Sequence, residues 1–95
     1  MFFTYIIECQ DGTYYTGSTG DISVRMKQHM EGKGASYTRT HKFKKLMYLE
    51  NFDTRSGAMK REIEIKKMNR IKKMILIEKN RENTSKLLDD FYRIF

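Results

Sequence analysis

The chain opens on an aromatic and β-branched run, Phe2-Phe3-Thr4-Tyr5-Ile6-Ile7-Glu8-Cys9, whose composition predicts a strand over 2–9. Gln10-Asp11-Gly12 carries an Asp-Gly turn signal, and 13–18 predicts the returning strand of a hairpin. Loop length decides which side chains share a face. A strict two-residue loop sets Cys9 opposite Tyr14 and puts Tyr5 and Tyr15 on opposite faces. A three-residue loop or a bulge sets Ile7 opposite Tyr15 and brings both tyrosines to one face.

Beyond the hairpin the period changes. Asp21 is a suitable N-cap for a helix through Met30, with Ile22, Met26 and Met30 as its apolar arc. Gly32-Lys33-Gly34 ends that helix, and a polar, basic loop runs to Lys45. Residues 46–52 predict a third strand. Thr54 or Ser56 starts a helix through Met68, with Asn69 as its stop. A short helix follows over 71–79, and a last one over 85–94 with Leu87, Leu88, Phe91, Tyr92 and Phe95 as an apolar stripe. The order predicts an α+β fold: a small three-stranded antiparallel sheet flanked by helices.

Length and charge sharpen this picture. A chain of 95 residues fits one small domain with a modest core, so any site lies near the surface. The net charge of +7 is unevenly spread. Residues 1–20 carry two acidic and no basic groups, 21–50 seven basic against three acidic, and 51–95 twelve against seven. Such a distribution suits a polyanionic partner. A single cysteine, Cys9, excludes a disulfide framework or a multi-cysteine zinc cluster and fits a reducing, cytoplasmic compartment. The first residues have no basic segment and include Glu8, unlike a signal peptide, and no apolar run approaches the ~20 residues of a membrane span.

Two helical wheels single out candidate chemistry. Arg25 and His29 are four residues apart and share a face bordering the apolar arc of their helix, whereas Lys27 lies on the far side. An arginine there is suited to bidentate contact with phosphate. In the helix after Thr54, Glu62 falls in the same arc as Ala58 and Ile65, while Glu64 points outward. A carboxylate on a core face needs a partner, and a divalent cation or Arg25 would supply one. The basic loop offers Lys33, Tyr37, Arg39 and Lys42 as candidate DNA contacts, without a nucleotide-binding fingerprint.

Taken together, Tyr5, Tyr15-Thr16-Gly17, Arg25 and His29, Gly32-Lys33-Gly34-Ala35-x-Tyr37-Thr38-Arg39 and Glu62-x-x-Ile65-Lys66 resemble the GIY-YIG nuclease domain. Within it, the chain is most similar to the small stand-alone, YhbQ-like bacterial branch. The likeness covers residues 2–78 or so. It implies an α/β/α domain over 1–80; residues 81–95 lie outside the likeness and are expected, from their apolar stripe, to form a C-terminal helical extension packed on the same domain. It further implies cleavage of DNA phosphodiester bonds with one Mg²⁺ or Mn²⁺, in repair or recombination. Carried over by position, Tyr5 and Tyr15 match the motif tyrosines, Arg25 the catalytic arginine, Glu62 the metal-binding glutamate, and His29 a histidine found in part of the family. The first motif keeps only its tyrosine, the second reads Tyr-Thr-Gly, and Ser18 stands where the repair nucleases often have Lys. The expected activity is a structure-directed DNA endonuclease; the alternatives are a non-catalytic DNA-binding module of a repair complex and a structural or regulatory protein.

Overall fold

The computed structural model describes residues 1–92, with side chains through Asp90. Three antiparallel strands, β1 (Phe2–Cys9), β2 (Tyr14–Thr19) and β3 (Phe43–Phe52), form one sheet in the order β2-β1-β3. The hairpin takes the register that pairs Ile7 with Tyr15 and Tyr5 with Gly17. Its loop has three residues: Cys9 N–H donates to the Thr13 carbonyl at 2.8 Å, and Gly12, at φ 83°, supplies the left-handed residue that such a loop requires.

The central strand β1 has a core on each face. On one, Tyr5, Ile7 and Leu49 pack with Ile22 and Met26 of α1 (Ile22–Met30) and Leu87 of α5 (Arg81–Tyr92). On the other, Ile6 and Tyr48 pack with Ile65 of α3 (Arg55–Lys66) and Leu76 and Ile77 of α4 (Arg70–Lys79). Asp21 caps α1 by accepting from Val24 N–H at 3.1 Å, and Thr54 caps α3 by accepting from Gly57 N–H at 3.0 Å. The open edge of β3 is covered: Leu49 N–H donates to Thr84 Oγ1 at 3.2 Å and its carbonyl accepts from Asn80 Nδ2 at 3.0 Å. No helix among the described residues is long and apolar enough to cross a membrane.

Several expectations are corrected. The loop to Lys45 contains a short helix, α2 (Ser36–His41), and β3 begins at Phe43. Nothing in the hydrophobic pattern marks α2, since it buries only Thr38 and Ala35 gives it no side-chain cap. Met30 is exposed, and the buried position at the end of α1 is His29. Asn69 does not stop α3, which ends at Lys66; it caps α4 by accepting from Lys72 N–H at 2.9 Å. α5 starts at Arg81 rather than at 85. Of its predicted apolar stripe, Phe91, Tyr92 and Phe95 lie outside the described side chains.

Candidate active site

Tyr5 projects from β1 across its strand partner Gly17 toward the edge formed by β2. A Cβ on Gly17 would lie 2.5 Å from the Tyr5 hydroxyl, so the close approach depends on glycine. The hydroxyl meets two residues of α1: Arg25 Nε donates to it at 3.3 Å, and His29 Nε2 lies 2.8 Å away. On the far side of the imidazole, His29 Nδ1 lies 2.7 Å from Thr38 Oγ1, whose own proton goes to the Ala35 carbonyl at 3.0 Å.

The Thr38 bond sets every proton in this chain. With its hydroxyl spent on Ala35, Thr38 accepts from His29, so Nδ1 carries the proton. Burial, and then the charge of Arg25, lower the His29 pKa to about 4, so the ring is neutral at pH 7 and Nε2 accepts from Tyr5. Burial pushes Tyr5 up to about 12 against the opposing pull of Arg25, so the phenol stays protonated and donates. The result is one directed chain: Arg25 to Tyr5, Tyr5 to His29, His29 to Thr38, Thr38 to Ala35.

Tyr15 stands beside this chain, its ring centroid 6.4 Å from that of Tyr5 and 5.5 Å from that of His29. Tyr37 stacks on it at 5.8 Å, and His41 stacks on Tyr37 at 4.0 Å. His41 pairs in turn with Asp11 in the hairpin loop. The hydrogen bonds of Thr13 and then His41 hold Asp11 down to about 2. These contacts fasten α2 to the hairpin and fix the Tyr15 ring from outside.

Glu62 reaches the same edge from the opposite face of the sheet. Ser18 Oγ donates to its Oε1 at 2.6 Å, and Lys66 Nζ lies 2.6 Å from Oε2. Partial burial raises the carboxyl pKa, but Lys66 and Ser18, helped by Arg25, outweigh it and leave the pKa below its ordinary value. Glu62 is therefore an ionised, hard oxygen donor at neutral pH. Its partners are Ser18 and Lys66, in place of the Arg25 contact that the sequence suggested. No group of three or more His, Cys, Asp or Glu side chains gathers there among the described residues. A lone carboxylate suits Mg²⁺, which keeps most of its waters and takes substrate phosphate as a ligand.

Arg25 also lines an open cleft of about 410 Å³ with Phe2, Ser18, Thr19, Gly20, Arg55 and Met59. Tyr5, Tyr15, Arg25, His29 and Tyr37 thus come together, with Glu62 across the β2 edge. Lys33 instead pairs with Glu31 at 3.6 Å. Arg39 and Lys42 line a separate cleft of about 470 Å³ on the other side of His29. Sequence reasoning gave no role to Thr38, Lys66 or Arg55. The signals were there: Lys66 is four residues after Glu62 on one helix, and Arg55 is a cation in a first helical turn, where the dipole disfavours it.

Residues 1–74 match the family described as the GIY-YIG catalytic domain, a family of nucleases. The UPF0213 protein of Syntrophus aciditrophicus (strain SB) is 48% identical over 81 residues, covering 84% of this chain and 93% of that protein. A UPF0213 protein of Halobacterium salinarum is 47% identical over 76 residues, covering 80% and 99%. The solution NMR structure of the UPF0213 protein BH0048 from Bacillus halodurans superposes with a TM-score of 0.53 at 42% identity, covering 82% of this chain and 84% of that one. With its catalytic-domain match spanning most of its length and its relatives matching nearly end to end, the chain belongs to the GIY-YIG family, in the UPF0213 group.

Proposed function

We propose that the protein is a metal-dependent DNA endonuclease that hydrolyses phosphodiester bonds, directed by DNA structure rather than sequence, in repair or recombination. The observation that carries this reading is the directed chain from Arg25 through Tyr5 to His29, set against the ionised Glu62 across the β2 edge. A held guanidinium on an open cleft, with an ionised carboxylate near enough to feel its charge, is an arrangement for a phosphodiester.

The residues divide the work. Tyr5 is fully buried and its proton is committed to His29, so it positions Arg25 rather than touching water. With Nε held by Tyr5 and Nη1 reaching Gln28 at 3.4 Å, Arg25 has its remaining N–H groups for the non-bridging oxygens. The half-buried Tyr15, braced by Tyr37, orients the attacking water. Glu62 would hold Mg²⁺ or Mn²⁺, which supplies charge stabilisation at the phosphate and the leaving oxygen.

One observation favours a non-catalytic DNA-binding module instead: Lys66 already neutralises Glu62 without any metal. Nicking of plasmid, branched or flapped DNA with Mg²⁺ or Mn²⁺ separates the two. The nuclease cuts, and Glu62→Ala and Arg25→Ala do not. Equal cutting by wild type and Glu62→Ala would reject the site. Metal-independent binding with no turnover on any of these substrates would support the binding module.

A further inference from the structure

The cleft beside Arg25 holds a second arginine that no step above uses. Arg55 opens α3 and lines the same 410 Å³ space, together with Thr19 and Gly20 at the end of β2 and the apolar Phe2 and Met59. Neither Arg25 nor Arg55 forms an ion pair among the described residues, whereas Arg61 of the same helix is paired with both Glu50 and Glu64. Both guanidinium groups therefore keep N–H donors free to take an anion from the cleft. Arg55 also lies in a first helical turn that contains no acidic residue, where a cation works against the helix dipole. An anion in the cleft relieves that cost and gives both arginines a partner.

We propose that this cleft is a second phosphate subsite, in which Arg55 holds a DNA backbone phosphate flanking the one held by Arg25. The proposal rests on the DNA-cleaving reading above and adds the direction of the strand: from the β2 edge past Gly20 to the start of α3. Phe2 and Met59 line the same cleft and suit the apolar faces of sugar and base. The contact carries no sequence information, which agrees with a structure-directed enzyme.

The experiment measures binding of a fluorescent branched DNA over a salt series without divalent metal, using wild type, Arg55→Ala, Arg55→Lys and Arg81→Ala. Arg81 is exposed, pairs with Glu78 and lies outside the cleft, so it reports the loss of any one positive charge. Arg55→Ala is expected to bind more weakly, and its slope of log K against log salt falls by about 0.7–0.9, the value of one phosphate contact. Arg55→Lys keeps the slope, and Arg81→Ala keeps both affinity and slope. Thermal melting of Arg55→Ala is not lowered, because the removed cation opposed the helix dipole. An Arg55→Ala protein that matches wild type in affinity and slope, or a loss no larger than that of Arg81→Ala, overturns the subsite and leaves the nuclease reading standing. Failure of wild type to bind or cut DNA removes both.

Discussion

The Tyr5 hydroxyl and His29 Nε2 lie 2.8 Å apart with both side chains out of solvent, and the direction of that bond is fixed by Thr38 on the far side of the ring. A pH dependence follows. His29 titrates at about 4 in the fold, held down by burial and then by Arg25, against about 6.5 in an unfolded chain. Between those values the unfolded chain binds a proton that the native one refuses. His29 therefore takes nothing from stability above about pH 7 and costs on the order of 3 kcal/mol by pH 4. Nitrogen-15 NMR should find Nδ1 protonated and Nε2 bare at pH 7, with a titration midpoint near 4. Urea midpoints should fall over the same range in wild type, and the His29 part of that fall should vanish in His29→Gln. A midpoint near 6.5 would refute the buried neutral ring.

Two glycines hold this pair in place. A Cβ on Gly17 would sit 2.5 Å from the Tyr5 hydroxyl, and one on Gly34 would sit 2.6 Å from His29 Nδ1. Neither neighbour can retreat without breaking the chain from Arg25 to Thr38. Gly17→Ala and Gly34→Ala are each expected to cost about 1–3 kcal/mol by overpacking and to abolish DNA cleavage. Gly12→Ala is the contrast: it has open space around it but sits at φ 83°, so it should cost about 1 kcal/mol and leave cleavage intact. Urea denaturation and plasmid nicking on the three variants check both halves.

The pairing of Arg25 with His29 and the inward turn of Glu62 were legible because a helix repeats every 3.6 residues whatever surrounds it. The hairpin register was narrowed to two choices, and Gly12 at positive φ selects the three-residue loop. What could not be read was contact between elements. The α1 wheel puts Met30 in the apolar arc and His29 only at its border, and the contact with Tyr5 on a distant strand decides for histidine. Likewise α2 is held by Thr38 and by the stack of Tyr37 on Tyr15, neither of which leaves a periodic trace. Glu62 was seen to need a partner, yet its partners came from β2 and from its own helix rather than from α1.

Lys66 occupies the carboxylate oxygen that a cation would seek, so the two compete. Lys66→Met is expected to tighten Mn²⁺ binding by the free protein about two- to fivefold, the worth of a half-exposed ion pair. The same variant should raise the Glu62 pKa, since the lysine is the main influence lowering it. Stability should change by less than about 1 kcal/mol. Mn²⁺ titration followed by electron paramagnetic resonance measures the affinity, with Glu62→Gln as the variant that binds least. Weaker binding by Lys66→Met would instead make the lysine a support for the ion-bound geometry.

Thr16 stands where the second family motif usually carries isoleucine, and it leaves a mark in the core. Its side chain is 3% exposed, and its Oγ1 is the one buried side-chain polar atom among the described residues without a hydrogen-bond partner. It pairs across the hairpin with Ile6, whose face of the sheet is filled by Tyr48 and Ile65. A desolvated hydroxyl with no acceptor costs about 1–3 kcal/mol, and valine reproduces the shape without the polar atom. Thr16→Val is therefore expected to stabilise the protein by about 1 kcal/mol, read as a higher urea midpoint at an unchanged denaturant slope. Cleavage should be unaffected, because the flanking Tyr15 and Gly17 point to the opposite face. A destabilised Thr16→Val would mean that an ordered water satisfies the hydroxyl, and Thr16→Ile would then fail in the same direction.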